Sequence, residues 1–225
     1  MNHLLLLTAV VLGAAAALIS LAHRMYQIRY TAVVDDVLRF STDAEADAWL
    51  QEEFDGWVDG LADELREALT AYKNSGHDEL NEDARNGFET GEHLLLDDAI
   101  ATHTLRTPVF AYRGVIDGGE QLHSFKPGAR IGDAGYWSLS LLEDVAWGFA
   151  STGSRPETRI VLRVLLDAGS RVIHTAAPDL IEEMHEYELL APRGCTAVLV
   201  ELPRLCRAEK AGGAPYYLID VELIP

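Results

Sequence analysis

Residues 184–194 read Met184-His185-Glu186-Tyr187-Glu188-Leu189-Leu190-Ala191-Pro192-Arg193-Gly194: two glutamates two positions apart, then an apolar run closed by a turn. The apolar run predicts a β-strand that begins at the glutamates. Side chains alternate across a strand, so positions i and i+2 share a face. Both carboxylates are then expected in one place, where like charge and partial burial push their pKa values apart. Such a pair suits acid/base work or the stabilisation of a cationic transition state. Glu-x-Glu is also an ordinary solvated strand face, so its company in the sequence must decide between the two readings.

Around this stretch the C-terminal half has a β-rich texture. Strand-like runs cover Val109–Tyr112, Ile160–Leu166, Arg171–Ile173, Glu188–Leu190, Ala197–Val200 and Tyr216–Leu223. Turn signals separate them at Asp117-Gly118-Gly119, Lys126-Pro127-Gly128, Asp167-Ala168-Gly169 and Pro192-Arg193-Gly194. Glu143–Ala150 has a helical pattern. Helical segments come first and strands follow without regular alternation, which predicts an α+β fold with mainly antiparallel strands.

The N-terminal half is acidic and helical. The chain carries a net charge of −18 over 225 residues, and residues 35–100 hold 20 Asp/Glu against 4 Lys/Arg. Residues 101–225 hold 16 against 12, so that half has room for an anionic ligand. No basic stripe is evident, which argues against nucleic acid as a partner. Lysine is scarce, at Lys73, Lys126 and Lys210 only. Thr42-Asp43-Ala44-Glu45 reads as a capping box. Trp49, Leu50, Trp57, Val58, Leu61, Leu65, Ala68, Leu69 and Tyr72 then recur at helical spacing. They predict one long amphipathic helix ending near Gly76, with Gly56 and Gly60 as weak points. A connection with a short helix follows over 74–90, and a second helix over about 92–104.

Leu4–Ala22 is 19 residues without a charge. As a helix it would span roughly 28 Å, about the thickness of a bilayer core. Arg24 and Arg29 beyond it, with no Lys or Arg before it, fit a retained anchor with the bulk of the chain in the cytoplasm. The alternative is a signal segment cleaved near Ala22, followed by secretion. The expected division is an anchor or signal over 1–24 and one domain over 25–225, in two parts: acidic helices over 25–106 and a β-rich core over 107–225.

Three spots in the β-rich core carry chemistry. Tyr112-Arg113-Gly114 puts an arginine at a strand end, able to bind a phosphate bidentately, beside a glycine that lets a ligand approach the backbone. A structural salt bridge explains Arg113 equally simply. Gly135-Tyr136-Trp137-Ser138-Leu139-Ser140 puts two hydroxyls on one strand face. The third spot is the glutamate pair. The histidines show no metal-ligand spacing, and His185 beside Glu186 makes no HExxH motif, so no metal is implied. Cys195 and Cys206 read as buried thiols.

Taken in order, Tyr-Arg-Gly at 112–114, the serine block over 127–141 and Glu-x-Glu-Leu-Leu-x-Pro-Arg-Gly over 186–194 resemble the R-S-E class of mono-ADP-ribosyltransferases, the arginine-specific type of bacterial toxins included. The resemblance implies the split two-sheet core of that family, NAD as co-substrate, a target protein with an acceptor arginine, and no metal. It assigns Arg113 to a phosphate of NAD and the Gly114 backbone to the nicotinamide amide. Ser138 would brace the catalytic glutamate, with Ser140 supporting the site. Glu188 would be the catalytic glutamate on the nicotinamide ribose, and Glu186 would orient and deprotonate the acceptor guanidinium. An arginine is protonated at neutral pH, so a base beside it is chemically required. Two departures stand out: Leu139 where threonine is usual, and a stretch over 177–185 without the aromatic that some relatives turn toward their target. Phe149 reads as a core residue, with stacking on nicotinamide as the alternative. The same residues would serve an NAD glycohydrolase, and a non-catalytic NAD-binding scaffold is the remaining alternative.

Overall fold

The computed structural model describes residues 36–116, 125–150, 158–175, 186–208 and 212–224. The hydrophobic segment 4–22 lies outside them, and among the described residues no helix is long and apolar enough to cross a membrane. One compact unit begins at Val37.

The expected long helix is broken into pieces. Helix α1 covers Asp43–Glu53, and its capping box forms as read. The Glu45 amide donates to Thr42 Oγ1 at 3.3 Å, and the Thr42 amide to Glu45 Oε2 at 3.1 Å. The chain then turns at Gly56, whose φ of +65° lies where residues with a Cβ are disfavoured. Helix α2, Asp63–Ala71, runs through a wide π turn at Tyr72–Gly76 into helix α3, His77–Arg85. Helix α4 covers Gly91–Ala101. The apolar stripe does face the core, but it splits between two packing regions. Leu50 and Phe54 join the main core, while Leu69 and Tyr72 pack with Leu80, Leu96, Ile100 and Tyr136.

Nine strands form among the described residues: β1 Val109–Ile116, β2 Arg130–Gly132, β3 Trp137–Ser140, β4 Arg159–Leu166, β5 Ile173–His174, β6 Glu188–Ala191, β7 Thr196–Leu199, β8 Arg204–Ala208 and β9 Ala214–Ile224. Helix α5, Glu143–Ala150, lies between β3 and β4. The lateral order is β2-β7-β9-β4-β1-β3-β6-β5, with β8 also paired to β9. All neighbours are antiparallel except β4 and β9, so the sheet is mixed.

The expected two sheets are joined in one hydrogen-bonded path, and the split survives as a seam. β1 pairs with β4 along all eight of its residues, and β3 pairs with β6 along all four. Between β1 and β3 there is one register pair, Tyr112 opposite Ser140. Continued pairing would set Arg113 against Leu139 and Gly114 against Ser138; the strands part there instead.

Helix α5 packs against the β1 side of this seam, and Gly114 is where it touches. A Cβ on Gly114 would lie 2.0 Å from the Ala146 carbonyl oxygen and 2.7 Å from the Ala150 nitrogen. The absent side chain therefore makes room for a helix backbone, which has no flexible end to move aside. Gly114→Ala is expected to cost about 3 kcal/mol by overpacking, or roughly 6–12 °C in melting temperature for a chain of this size. A thermal melt within about 2 °C of the parent would show that α5 yields.

Candidate active site

The seam opens into a cleft of about 190 Å³ lined by Tyr112, Arg113 and Gly114 from β1, Ser138, Leu139 and Ser140 from β3, Ala146 and Phe149 from α5, and Glu186 and Glu188. All six residues singled out in the sequence thus meet in one place. The divergence of the strands explains why. Where β1 and β3 cease to pair, their facing groups are left for other partners, and the Ser138 carbonyl accepts from Arg113 Nη1 at 3.2 Å.

The two glutamates converge by a different route from the one expected. Strand β6 begins only at Glu188, and Tyr187 has a φ of +47°. Glu186 therefore lies before the strand, beyond a left-handed residue, and strand alternation does not place it. A bulky residue in this region is a genuine outlier that its surroundings must hold. Tyr187 is buried in the main core, and its carbonyl accepts from the Leu141 amide at 3.0 Å. The Ser140 hydroxyl donates to the Glu186 carbonyl at 2.7 Å and accepts from the Leu142 amide at 3.1 Å, tying the bend to the start of α5.

Glu188 is buried, with 8% of its side chain exposed. Ser138 Oγ donates to Oε1, and Thr175 Oγ1 donates to Oε2. Lys73 Nζ lies 2.9 Å from Glu188 Oε2 and 2.6 Å from Glu186 Oε2. Burial pushes the Glu188 carboxyl up, but the Lys73 ammonium and the two hydroxyls outweigh it and hold it below the ordinary carboxylate range. Lys73 moves the other way: burial disfavours its charge, yet the two glutamates leave it above an ordinary lysine.

Arg113 turns out to make the salt bridge as well as to line the cleft. Its Nη2 lies 3.3 Å from Asp133 Oδ2, and its guanidinium sits 5.4 Å from the centroid of the Trp137 ring. Burial works against its charge and lowers its pKa, while Asp133 resists that shift. Asp133 is gripped from the other side by Arg85, with bonds at 2.9 and 2.8 Å, and it accepts from the Gly135 amide at 2.9 Å. Helix α3 thereby fixes the arginine's counterion. Asn81 of the same helix accepts from the Tyr136 amide at 2.6 Å, and a Cβ on Gly135 would stand 2.5 Å from that Asn81 oxygen. Arg193, in the turn after β6, pairs with Glu89 and Asp97, which fastens this turn to α4.

Phe149 is not the core residue expected: it is 49% exposed and stands on the cleft wall. Cys195 is buried as read, whereas Cys206 is only half-buried. The stretch 177–185, with its missing aromatic and His185, lies outside the described residues. Sequence reasoning passed over Lys73, Thr175 and Asp133. Only the rarity of lysine hinted at the first of them.

In comparison with known proteins, residues 46–221 match the family model described as ADP-ribosyltransferase exoenzyme. No curated protein matches the chain. Solved structures with the same fold include Plx2a, an ADP-ribosyltransferase toxin from Paenibacillus larvae, at 18% identity and a TM-score of 0.65; it covers 84% of this chain and 100% of its own. The Clostridium limosum C3 exoenzyme matches at 20% identity and 0.63, covering 86% and 100%. The enzymatic component C2-I of the C2-toxin from Clostridium botulinum matches at 18% and 0.66, covering 84% of this chain and 50% of its own, so this chain spans about half of that protein. The family match runs over more than three quarters of the sequence and takes in every side chain that lines the cleft, and on that ground the chain belongs to the ADP-ribosyltransferase exoenzyme family.

Proposed function

We propose that this member of the family moves ADP-ribose from NAD to an arginine of a target protein and releases nicotinamide. One observation carries the reading: a buried carboxylate, held ionised by Lys73, Ser138 and Thr175, lies on the floor of a cleft with a second carboxylate beside it. When bound, NAD supplies a nicotinamide–ribose bond whose cleavage leaves positive charge on the ribose. The donor set fits that molecule: Arg113 offers a cation to a phosphate, the exposed Phe149 ring offers a face to an aromatic ring, and the parted strands offer backbone groups.

Glu188 sets a negative charge where positive charge develops, and because it is buried that charge acts more strongly than it would in open water. Its two hydroxyl partners fix the carboxylate orientation beforehand, so little reorganisation accompanies reaction. The Gly114 backbone is assigned to the nicotinamide amide, and Ser140 holds Glu186 in reach through its carbonyl. Glu186 receives a proton from the acceptor guanidinium, which must lose one to become nucleophilic. A glutamate at this position is the chemical reason for choosing arginine as acceptor.

The test is incubation of the full chain with labelled NAD and a cell lysate. Label on protein that hydroxylamine removes supports transfer to arginine, whereas nicotinamide release without labelled protein would make it an NAD glycohydrolase. For residues 4–22 the proposal is a retained membrane anchor, supported by the 19 uncharged residues and by Arg24 and Arg29 after them. The protein is expected in the membrane fraction with residues 4–22 still attached, and a mature start at His23 would refute retention.

A further inference from the structure

We propose that Lys73 is a positioning residue for the transfer reaction: its ammonium, carried on the π turn between α2 and α3, supplies the countercharge that lets Glu188 stay anionic while buried and fixes it beside Glu186. The proposal rests on the reading of Glu188 as the carboxylate that stabilises NAD cleavage.

The geometry is specific. Lys73 comes from the acidic helical half, 113 and 115 residues away in sequence from the two glutamates it joins. Of its side chain 15% is exposed, so the contact is not a solvated surface pair. A π turn inserts an extra residue into a helix and rotates the side chains after it, and such turns recur at functional sites. Here it occupies Tyr72–Gly76, and Lys73 is its second residue. Tyr72 is buried among Leu69, Leu80 and Tyr136, which fixes where its neighbour leaves the helix.

Without Lys73 two carboxylates would share one partly buried place with no ammonium between them. Breaking a buried ion pair from one side leaves the other charge uncompensated, and a carboxylate so placed takes up a proton. Arg113 lies farther off and is already engaged by Asp133 and the Ser138 carbonyl. The hydroxyls of Ser138 and Thr175 donate to either state. His174 contacts the Glu188 carbonyl, and burial holds its imidazole below the ordinary histidine range; Tyr72 is raised by burial and stays neutral. Among the described groups facing Glu188, the lysine ammonium is therefore the one that can balance it closely.

The test compares nicotinamide release by the full chain and by K73M and K73R from pH 5 to 9. In K73M the acid limb of the rate profile is expected to move up by about one pH unit or more, which is tenfold or more in rate on that limb, with a smaller change in KM for NAD. K73R keeps the charge and is expected to restore most of the rate. Melting temperature against pH gives a readout independent of turnover. In the parent, the depressed Glu188 pKa contributes stability above the ordinary carboxylate value, lost as pH falls through the folded value. In K73M burial raises that pKa, so the deficit against the parent should widen from pH 4 to 7 and close toward acid.

A K73M profile superimposable on the parent's would overturn the proposal. So would faster turnover in K73M, since the lysine would then be an obstruction. A parent that releases no nicotinamide at any pH would instead refute the assigned reaction, and the melting series would still report on the lysine–glutamate coupling. Should K73M fail to fold, K73M/E186Q, with one carboxylate fewer to leave unpaired, carries the same comparison against E186Q.

Discussion

Glu188→Gln is expected to reduce nicotinamide release by about 10²–10³-fold, the loss typical when one preorganised electrostatic partner of a transition state is removed. The substitution conserves shape and deletes a charge. Ser138 and Thr175 bond opposite carboxylate oxygens, so one hydroxyl can still donate to the amide oxygen while the other turns to accept from the amide NH2; Lys73 keeps Glu186 as a partner 2.6 Å away, so the fold should stand. In free-energy terms the loss is about 3–4 kcal/mol of transition-state stabilisation. It should fall on kcat with little change in KM, because an interaction that matters only as charge develops does not strengthen ground-state binding. Single-turnover release of labelled nicotinamide is the measurement to make. A rate within threefold of the parent would mean that the buried carboxylate has a structural duty only.

Glu186→Gln is expected to separate the two halves of the reaction. Transfer to a small guanidinium acceptor such as agmatine should fall by about 10²–10⁴-fold, the usual contribution of a positioned base. Hydrolysis of NAD should persist, because Glu188 and its three partners are untouched. The quantity to follow is the ratio of labelled agmatine to free ADP-ribose. Two results would sink the assignment: both products falling in parallel, which places Glu186 in NAD cleavage, or transfer continuing unchanged, which moves the acceptor's proton to another group. The bend at Tyr187 gives this prediction its physical sense. Glu186 is held apart from the strand that carries Glu188: Ser140 bonds its own carbonyl, and the Leu141 amide bonds the carbonyl of Tyr187 at the bend.

Much of this site could be read before any coordinates. Apolar runs such as Ile160–Leu166 advertise central strands, and the serine and glutamate blocks lie on β3 and at the start of β6. What escaped did so for identifiable reasons. Strands β2 and β8 are short, and their exposed or half-buried residues carry no apolar alternation. The helical stripe from Trp49 to Tyr72 has the right period, but the positive φ at Gly56 breaks the helix while leaving the period almost intact. A tyrosine is among the last residues expected in the left-handed region, so the bend within Glu186-Tyr187-Glu188 has no local signature. Lys73 and Asp133 act through partners far along the chain, and only the packing of helices against strands brings them together. The glycine of Tyr112-Arg113-Gly114 was legible as a place of close approach, but the approach of α5, for which its missing side chain makes way, has no signature in the local sequence.

The single register pair between β1 and β3 has a mechanical consequence. A sheet is a ladder, and load passes from strand to strand through its rungs; here two stiff ladders share one rung, at Tyr112 and Ser140. A molecule lying in the opening and hydrogen-bonded to both rails would stand in for the rungs the protein omits. The sheet is then whole only while it is occupied, and pulling the two halves apart should take more force when the cleft is filled than when it is empty.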